Sequence, residues 1–296
     1  AYVNEQQTYG ILSKAAELGI NFIDTADVYG KHKSEIIIGN FLKHHNRDSW
    51  VIATKLGLEP GETSDNTLTA NIIIKRTEDS LKRLQIDTID LYQLHRFDEK
   101  TPTEETLLAL NKLVKQGKIR YYGVCNFTDT QLIETINSDV DSSHLISAQF
   151  GLNLFKRKYL HNVLPLCSYY NMGVLAYGVL ARGILTNKYL NEAIPSGSRA
   201  QVSNSIKNDV TPFMRSKLEA IHSFAKDRSK TVVGIALGWA LLRYPVCVAI
   251  LGTRNVEQLQ TNIEAITTRL TENDLIEIDN IIGPLEKYDS YSLGVF

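Results

Sequence analysis

Seven short β-branched, apolar runs recur along this chain of 296 residues, and a longer segment of helical period separates each run from the next. They are Asn21–Thr25, Trp50–Lys55, Thr88–His95, Tyr121–Asn126, Ile146–Leu152, Val174–Tyr177 and Val248–Gly252. Alternation of this kind argues for βα units around a parallel sheet. Helix starts between the runs carry cap chemistry. Thr101-Pro102-Thr103-Glu104 reads as a capping box with proline at the first helical position, with Gly117 as the stop, and Thr128 with Gln131 and Thr271 with Asp274 repeat the start pattern. The fold class expected is α/β, a (β/α)8 TIM barrel. Seven strands are one short of closure, and an open seam would leave two unpaired strand edges, so a first strand is expected to precede Ala1. No proline- or glycine-rich linker divides the chain, which makes residues 1–296 one expected domain. Pro195 to Pro212 interrupts the rhythm as a long loop.

Charge narrows the partners. Lys plus Arg, at 32, nearly cancels Asp plus Glu, at 33, so no global field draws nucleic acid or an anionic membrane, and a small molecule is the expected partner. No run of 18 apolar residues appears, and the N-terminal AYVNEQQTYGIL lacks the features of a signal peptide. Cys125, Cys167 and Cys247 form no CxxC pair and read as buried thiols of a reducing compartment, the cytoplasm. No metal site is expected.

Ionisable residues interrupt three apolar runs at their C-terminal ends, where barrel enzymes carry their active sites: Asp24 in NFIDT, Lys55 in VIATK and His95 in LYQLH. Buried singly they would be costly. Each has a plainer reading, Lys55 as a strand-end lysine with its head in solvent, His95 as a structural histidine and Asp24 as a helix cap. Three equivalent strand ends favour one shared acid–base site. Tyr29 lies on the following loop, in DTADVYG. A neighbouring Lys55 ammonium would lower its phenol pKa, Asp24 would hold the lysine, and His95 would orient a substrate oxygen. A barrel aldolase using Lys55 as a Schiff-base nucleophile is the competing chemistry.

The passages GINFIDTADVYG, VIATK, LKRLQIDTIDLYQLHR, GKIRYYGVCNF, AYGVLARGILTNKY and ILGTRNVEQLQTNI, in order from Gly19 to Asn262, resemble the signatures of the aldo-keto reductase family. The resemblance implies a catalytic tetrad of Asp24, Tyr29, Lys55 and His95, with Tyr29 as general acid in reduction of an aldehyde or ketone. It implies that Asn126 and Gln149 hold the nicotinamide carboxamide and that Tyr177 stacks on the ring. Leu180, Arg182, Lys188 and Arg199 would follow the pyrophosphate, and Gly252, Thr253, Arg254, Gln258 and Asn262 the adenosine end. A glycine at a strand end, a helix N-terminus after it and two amides four apart on one helical face make physical sense of that end. Arg254 favours NADP(H) over NAD. Two departures stand out, since the family usually has serine at Cys125 and Ser-Pro at Gly178-Val179. The alternative function is a cofactor-binding regulatory protein, similar to potassium-channel β subunits.

Overall fold

The computed structural model describes residues 3–57, 68–139, 143–190, 196 and 198–284. The chain forms two compact units, one of Ala1–Gln149 with Leu166–Gly173, the other of Phe150–Pro165 with Val174–Phe296. All seven expected strands are present: β1 (Phe22–Asp24), β2 (Val51–Leu56), β3 (Ile89–Leu94), β4 (Ile119–Cys125), β5 (Leu145–Gly151), β6 (Gly173–Tyr177) and β7 (Val246–Ile250).

In the first unit β1 to β5 pair in chain order, each parallel to the next. Parallel strands are buried on both faces, and every residue of β3 is buried, Asp90 and Gln93 included, which is why its sequence, IDLYQL, shows no alternation of buried and exposed positions. Helices Lys33–Leu42, Ala70–Leu84, Thr103–Lys115 and Asp129–Ser138 make the crossovers. In Ala70–Leu84 the buried residues are Ile73, Thr77, Ser80, Leu81 and Leu84, a single stripe at helical spacing.

The boxes at Thr128–Gln131 and Thr271–Asp274 form as expected, each side chain bonding the other's backbone. The one expected at Thr101–Glu104 does not. Pro102 is extended (φ −53°, ψ 130°) and its carbonyl accepts the first helical bonds, from Glu105 and Thr106, so the helix begins at Thr103 with no side-chain cap. That shift moves Glu104 out of the third helical position that a box requires.

In the second unit β6 pairs parallel with β7, Tyr177 opposite Ile250. Helix Val232–Leu241 is buried on almost every side, as VVGIALGWAL demands, and the Trp239 indole donates to Asp279 at 2.9 Å. The stretch expected as a long loop holds two short helices, Arg199–Val202 and Asn204–Asp209, before Thr211 caps the helix Pro212–Asp227. No helix among the described residues is long and apolar enough to cross a membrane.

Candidate active site

Strand register sets the first unit's polar cluster. Asp24 pairs with Ala53, Lys55 with Gln93, and Cys125 with Gln149. The Lys55 side chain is wholly buried, and its Nζ donates to Asp24 Oδ2 at 2.6 Å and to the Thr25 carbonyl at 2.8 Å. The same atom lies 5.3 Å from the centre of the Tyr29 ring. Burial works against the lysine's charge, yet Asp24 and Tyr29 together hold its pKa above the ordinary value.

Tyr29 departs from the expectation that Lys55 makes it more acidic. Burial raises the phenol above its usual range, and the attraction of Lys55 offsets this only in part because Asp24 adds to the rise. An ammonium already paired with a carboxylate is a weak acidifier. His95 follows β3, its backbone N–H bonding the Leu56 carbonyl at 2.8 Å. Its ring meets Tyr29 edge to face, with centroids 5.9 Å apart. Burial first, then the charges of Lys55, Arg96 and Arg76, push the imidazole pKa down to about 3, so the ring is neutral at physiological pH.

Asp24 has a second set of partners that the sequence reading missed. Gln149 Nε2 donates to Asp24 Oδ1 at 2.8 Å, and the fully buried Gln93 donates to the same oxygen at 3.3 Å while accepting from Gln149 at 3.3 Å. The signal was an amide inside an otherwise apolar LYQLH, two residues before the histidine. Cys125 completes the chain of contacts, its Sγ donating to Gln149 Oε1 at 3.5 Å and accepting from Asn126 Nδ2 at 3.2 Å. Burial pushes this thiol up to about 12, so it stays protonated and supplies a donor. Asn126 takes a left-handed backbone (φ 62°), with its N–H on the Gln149 carbonyl at 2.8 Å.

The Tyr29 loop is held from beneath. The Asp27 N–H bonds the Lys55 carbonyl at 3.0 Å, and Arg76 Nε donates to Asp27 Oδ2 at 2.8 Å. The guanidinium also bonds the Gly57 carbonyl. Gly57 has no room for a side chain, since a β-carbon there would lie 2.6 Å from that of His95. One arginine thus ties the loop carrying the phenol to the backbone packed against the imidazole. Burial raises Asp27 to about 6 against the pull of Arg76. Leu68 is pinned as well, its N–H bonding Asp98 at 2.6 Å and its carbonyl accepting from Thr106 at 3.0 Å.

The second unit carries the remaining candidates. Tyr177 ends β6, buried, and its carbonyl accepts from Leu152 at 3.1 Å. Leu180 precedes a tight turn in which Ala181, Arg182 and Gly183 all have positive φ, and Arg182 donates to Ser205 Oγ at 3.0 Å. Lys188 is exposed, its Nζ 5.6 Å from the centre of the Tyr189 ring. Arg199 begins the helix Arg199–Val202, but its side chain lies outside the described residues. Gly252, Thr253 and Arg254 lead into the helix Val256–Ile266, capped by Asn255. Gln258 turns back to accept from the Arg254 N–H at 3.0 Å, and Asn262, one turn on, is buried.

The sequence profile of the aldo/keto reductase family matches residues 1–282. A probable aldo-keto reductase 1 of Glycine max is 33% identical over 284 residues, covering 93% of this chain and 79% of that protein. An uncharacterized oxidoreductase of Bacillus subtilis, YrpG, is 31% identical, covering 95% of this chain and 89% of its own. Among solved structures, a thermostable aldo-keto reductase, Tm1743, in complex with the inhibitor epalrestat, superposes with a TM-score of 0.77 at 27% identity, over 95% of this chain and 89% of the other. The holo form of the aldo-keto reductase AKR11C1 from Bacillus halodurans does so with a TM-score of 0.78 at 26% identity, over 98% and 91%. The βα order and these superpositions give the fold class as (β/α)8.

Proposed function

The chain belongs to the aldo/keto reductase family and is an oxidoreductase; on that premise we propose that it reduces an aldehyde or ketone to the alcohol with NADPH, Tyr29 giving the proton. The observation that carries this reading is the wholly buried Lys55 paired with Asp24 and set against the Tyr29 ring. A buried ammonium with nothing to stabilise but a carboxylate would be replaceable by packed apolar residues. Beside a phenol it has a task, because the phenolate formed when Tyr29 releases its proton needs a cation in a water-poor site.

The chain's donor set fits a phosphate-bearing dinucleotide. Arg254 and Lys188 supply cations, and the helix starting at Val256 presents its N-terminus beside Arg254. Within the second unit we assign the nicotinamide face to Tyr177, the pyrophosphate to Leu180, Arg182, Lys188 and Arg199, and the adenosine end with its 2′-phosphate to Gly252, Thr253, Arg254, Gln258 and Asn262. In the first unit the carboxamide falls mainly to Asn126, because Gln149 already donates to Asp24 and accepts from Cys125. When bound, the dinucleotide supplies the hydride that reaches the carbonyl carbon.

The protein's share is proton delivery and orientation. His95, neutral, hydrogen-bonds the substrate oxygen and holds it toward Tyr29. The raised phenol pKa keeps Tyr29 protonated until negative charge develops on that oxygen. Lys55 then stabilises the phenolate, and Asp24 keeps Lys55 in place. Cys125 and Cys167 are buried as expected, Cys247 is exposed instead, and all three being unpaired supports a reducing compartment, the cytoplasm. Consumption of NADPH with a panel of aldehydes tests the reaction, and Tyr29→Phe should slow it by about 10²- to 10⁴-fold. Equal rates for the two proteins would overturn the assignment of the acid.

A further inference from the structure

Beyond Gly151, the last residue of β5, the chain of the second unit doubles back on itself. Asn153 Oδ1 accepts the N–H groups of Phe155 at 3.0 Å and Lys156 at 2.9 Å, and Asn153 Nδ2 donates to the Gly178 carbonyl at 2.9 Å. An isolated antiparallel bridge joins Asn153 to Lys156. The turn returns Lys156 across the strand end it has just left. A β-carbon on Gly151 would lie 3.0 Å from Lys156 Nζ, 3.3 Å from Lys156 Cδ and 3.2 Å from Tyr177 Cε2. The lysine stem therefore occupies the space that a side chain at residue 151 would take, and its ammonium stands 5.9 Å from the centre of the Tyr177 ring.

This ammonium is partly buried and has no carboxylate partner among the described residues. Burial, and then the like charge of Lys158, hold its pKa below the lysine range. The Tyr177 ring face offers some compensation, but a cation held there by an asparagine turn and a missing side chain meets no counter-charge among the described residues. Solvent-seeking lysines carry their heads outward. Lys156 instead runs along the backbone toward an aromatic ring.

We propose that Lys156 is an anion-recognition residue, binding a carboxylate or phosphate group of the carbonyl substrate beside Tyr177. The proposal rests on the function proposed above, in which Tyr177 faces the nicotinamide. Hydride transfer brings the carbonyl against that ring system, so an anion within reach of Lys156 belongs to a substituent near the carbonyl or, failing that, to the dinucleotide's own phosphates. A charge-assisted contact of this kind is worth about ten- to a hundredfold in binding.

The test compares benzaldehyde with 4-carboxybenzaldehyde as substrates of the full chain, of Lys156→Met and of Lys156→Arg, with NADPH affinity measured separately by fluorescence titration. The unaltered protein should prefer the carboxylate by about tenfold or more in kcat/KM. Lys156→Met should abolish that preference through KM, and Lys156→Arg should retain it. A preference that persists in Lys156→Met overturns the proposal, and if NADPH binding weakens in the same variant, the anion is the cofactor's phosphate. Should the unaltered protein bind NADPH yet reduce neither aldehyde, the proposed reduction falls. The lysine is then decided by labelling with acetic anhydride. Slower acetylation of Lys156 in the presence of terephthalate sustains the anion site, and an unchanged rate overturns it.

Discussion

The two units place their candidate residues by opposite means. In the first, Asp24, Lys55, Gln93, Cys125 and Gln149 are strand residues whose positions follow from parallel register, and nearly all of their polar atoms find partners among themselves. In the second, Arg182 sits on a turn of left-handed residues, Lys188 on an exposed 3-10 turn, and Arg254 ahead of a helix start. The contrast separates two demands. Proton transfer needs groups fixed to a fraction of an ångström, which hydrogen-bonded strands provide. A long charged ligand needs backbone N–H groups and cations along its length, which turns and helix ends provide.

The largest expected effect strikes at this difference. Lys55→Met strips the buried Asp24 of its counter-charge and should lower unfolding stability by about 3–5 kcal/mol as well as abolishing reduction. Lys188→Met, in the second unit, should shift stability by less than about 0.5 kcal/mol and act on cofactor affinity alone. Urea denaturation of both variants decides it, and equal losses would erase the distinction.

A second effect is hidden within the first unit, because two buried groups oppose each other there. Asp27, raised to about 6, contributes stability at low pH that is lost as pH rises from about 4 through 6. His95, lowered to about 3, contributes stability above its ordinary range that is lost as pH falls from about 6.5 toward 3. Asp27→Asn should therefore leave stability rising with pH between 4 and 6, and His95→Gln should leave it falling. Urea midpoints across that window read the two slopes, and parallel profiles would show that neither group titrates as described.

The smallest effects refine the contrast. Gln93→Leu removes an amide from Asp24 and leaves Gln149 with an unmet donor, so kcat should fall by about tenfold with NADPH affinity unchanged. Gln258→Ala should weaken NADPH severalfold and leave kcat alone. Steady-state kinetics with fluorescence titration separates them, and an exchange of the two phenotypes would reverse the roles assigned to the units.

Much of the first unit was legible because strands declare themselves twice, by apolar run and by the ionisable residue that breaks it. Asp24, Lys55 and His95 were found in this way, while the other four of the seven strands, in both units, were found from their apolar runs alone. Gln93 escaped because an uncharged amide in LYQLH raises no alarm until its partners are known. The direction of the Tyr29 shift escaped because sequence shows the neighbouring lysine but not the depth of burial that outweighs it. In the second unit the roles of Arg182 and Arg254 came only from family resemblance, and the turn at Arg182 was not foreseen at all, since positive φ at a non-glycine residue leaves no pattern in composition. The helices Arg199–Val202 and Asn204–Asp209 are too short to show a period, and so read as loop. At Thr101 the motif was present, but the proline took the capping place.

For protein engineering, the pinning of Gly57 and Leu68 supplies two fixed backbone anchors. Both anchor points are secured by side chains outside the segment that joins them, Gly57 by Arg76 and Leu68 by Asp98 and Thr106. Because Arg76 holds Asp27 as well as Gly57, a variant library that spares Arg76, Asp98 and Thr106 keeps the phenol and the imidazole in their seats.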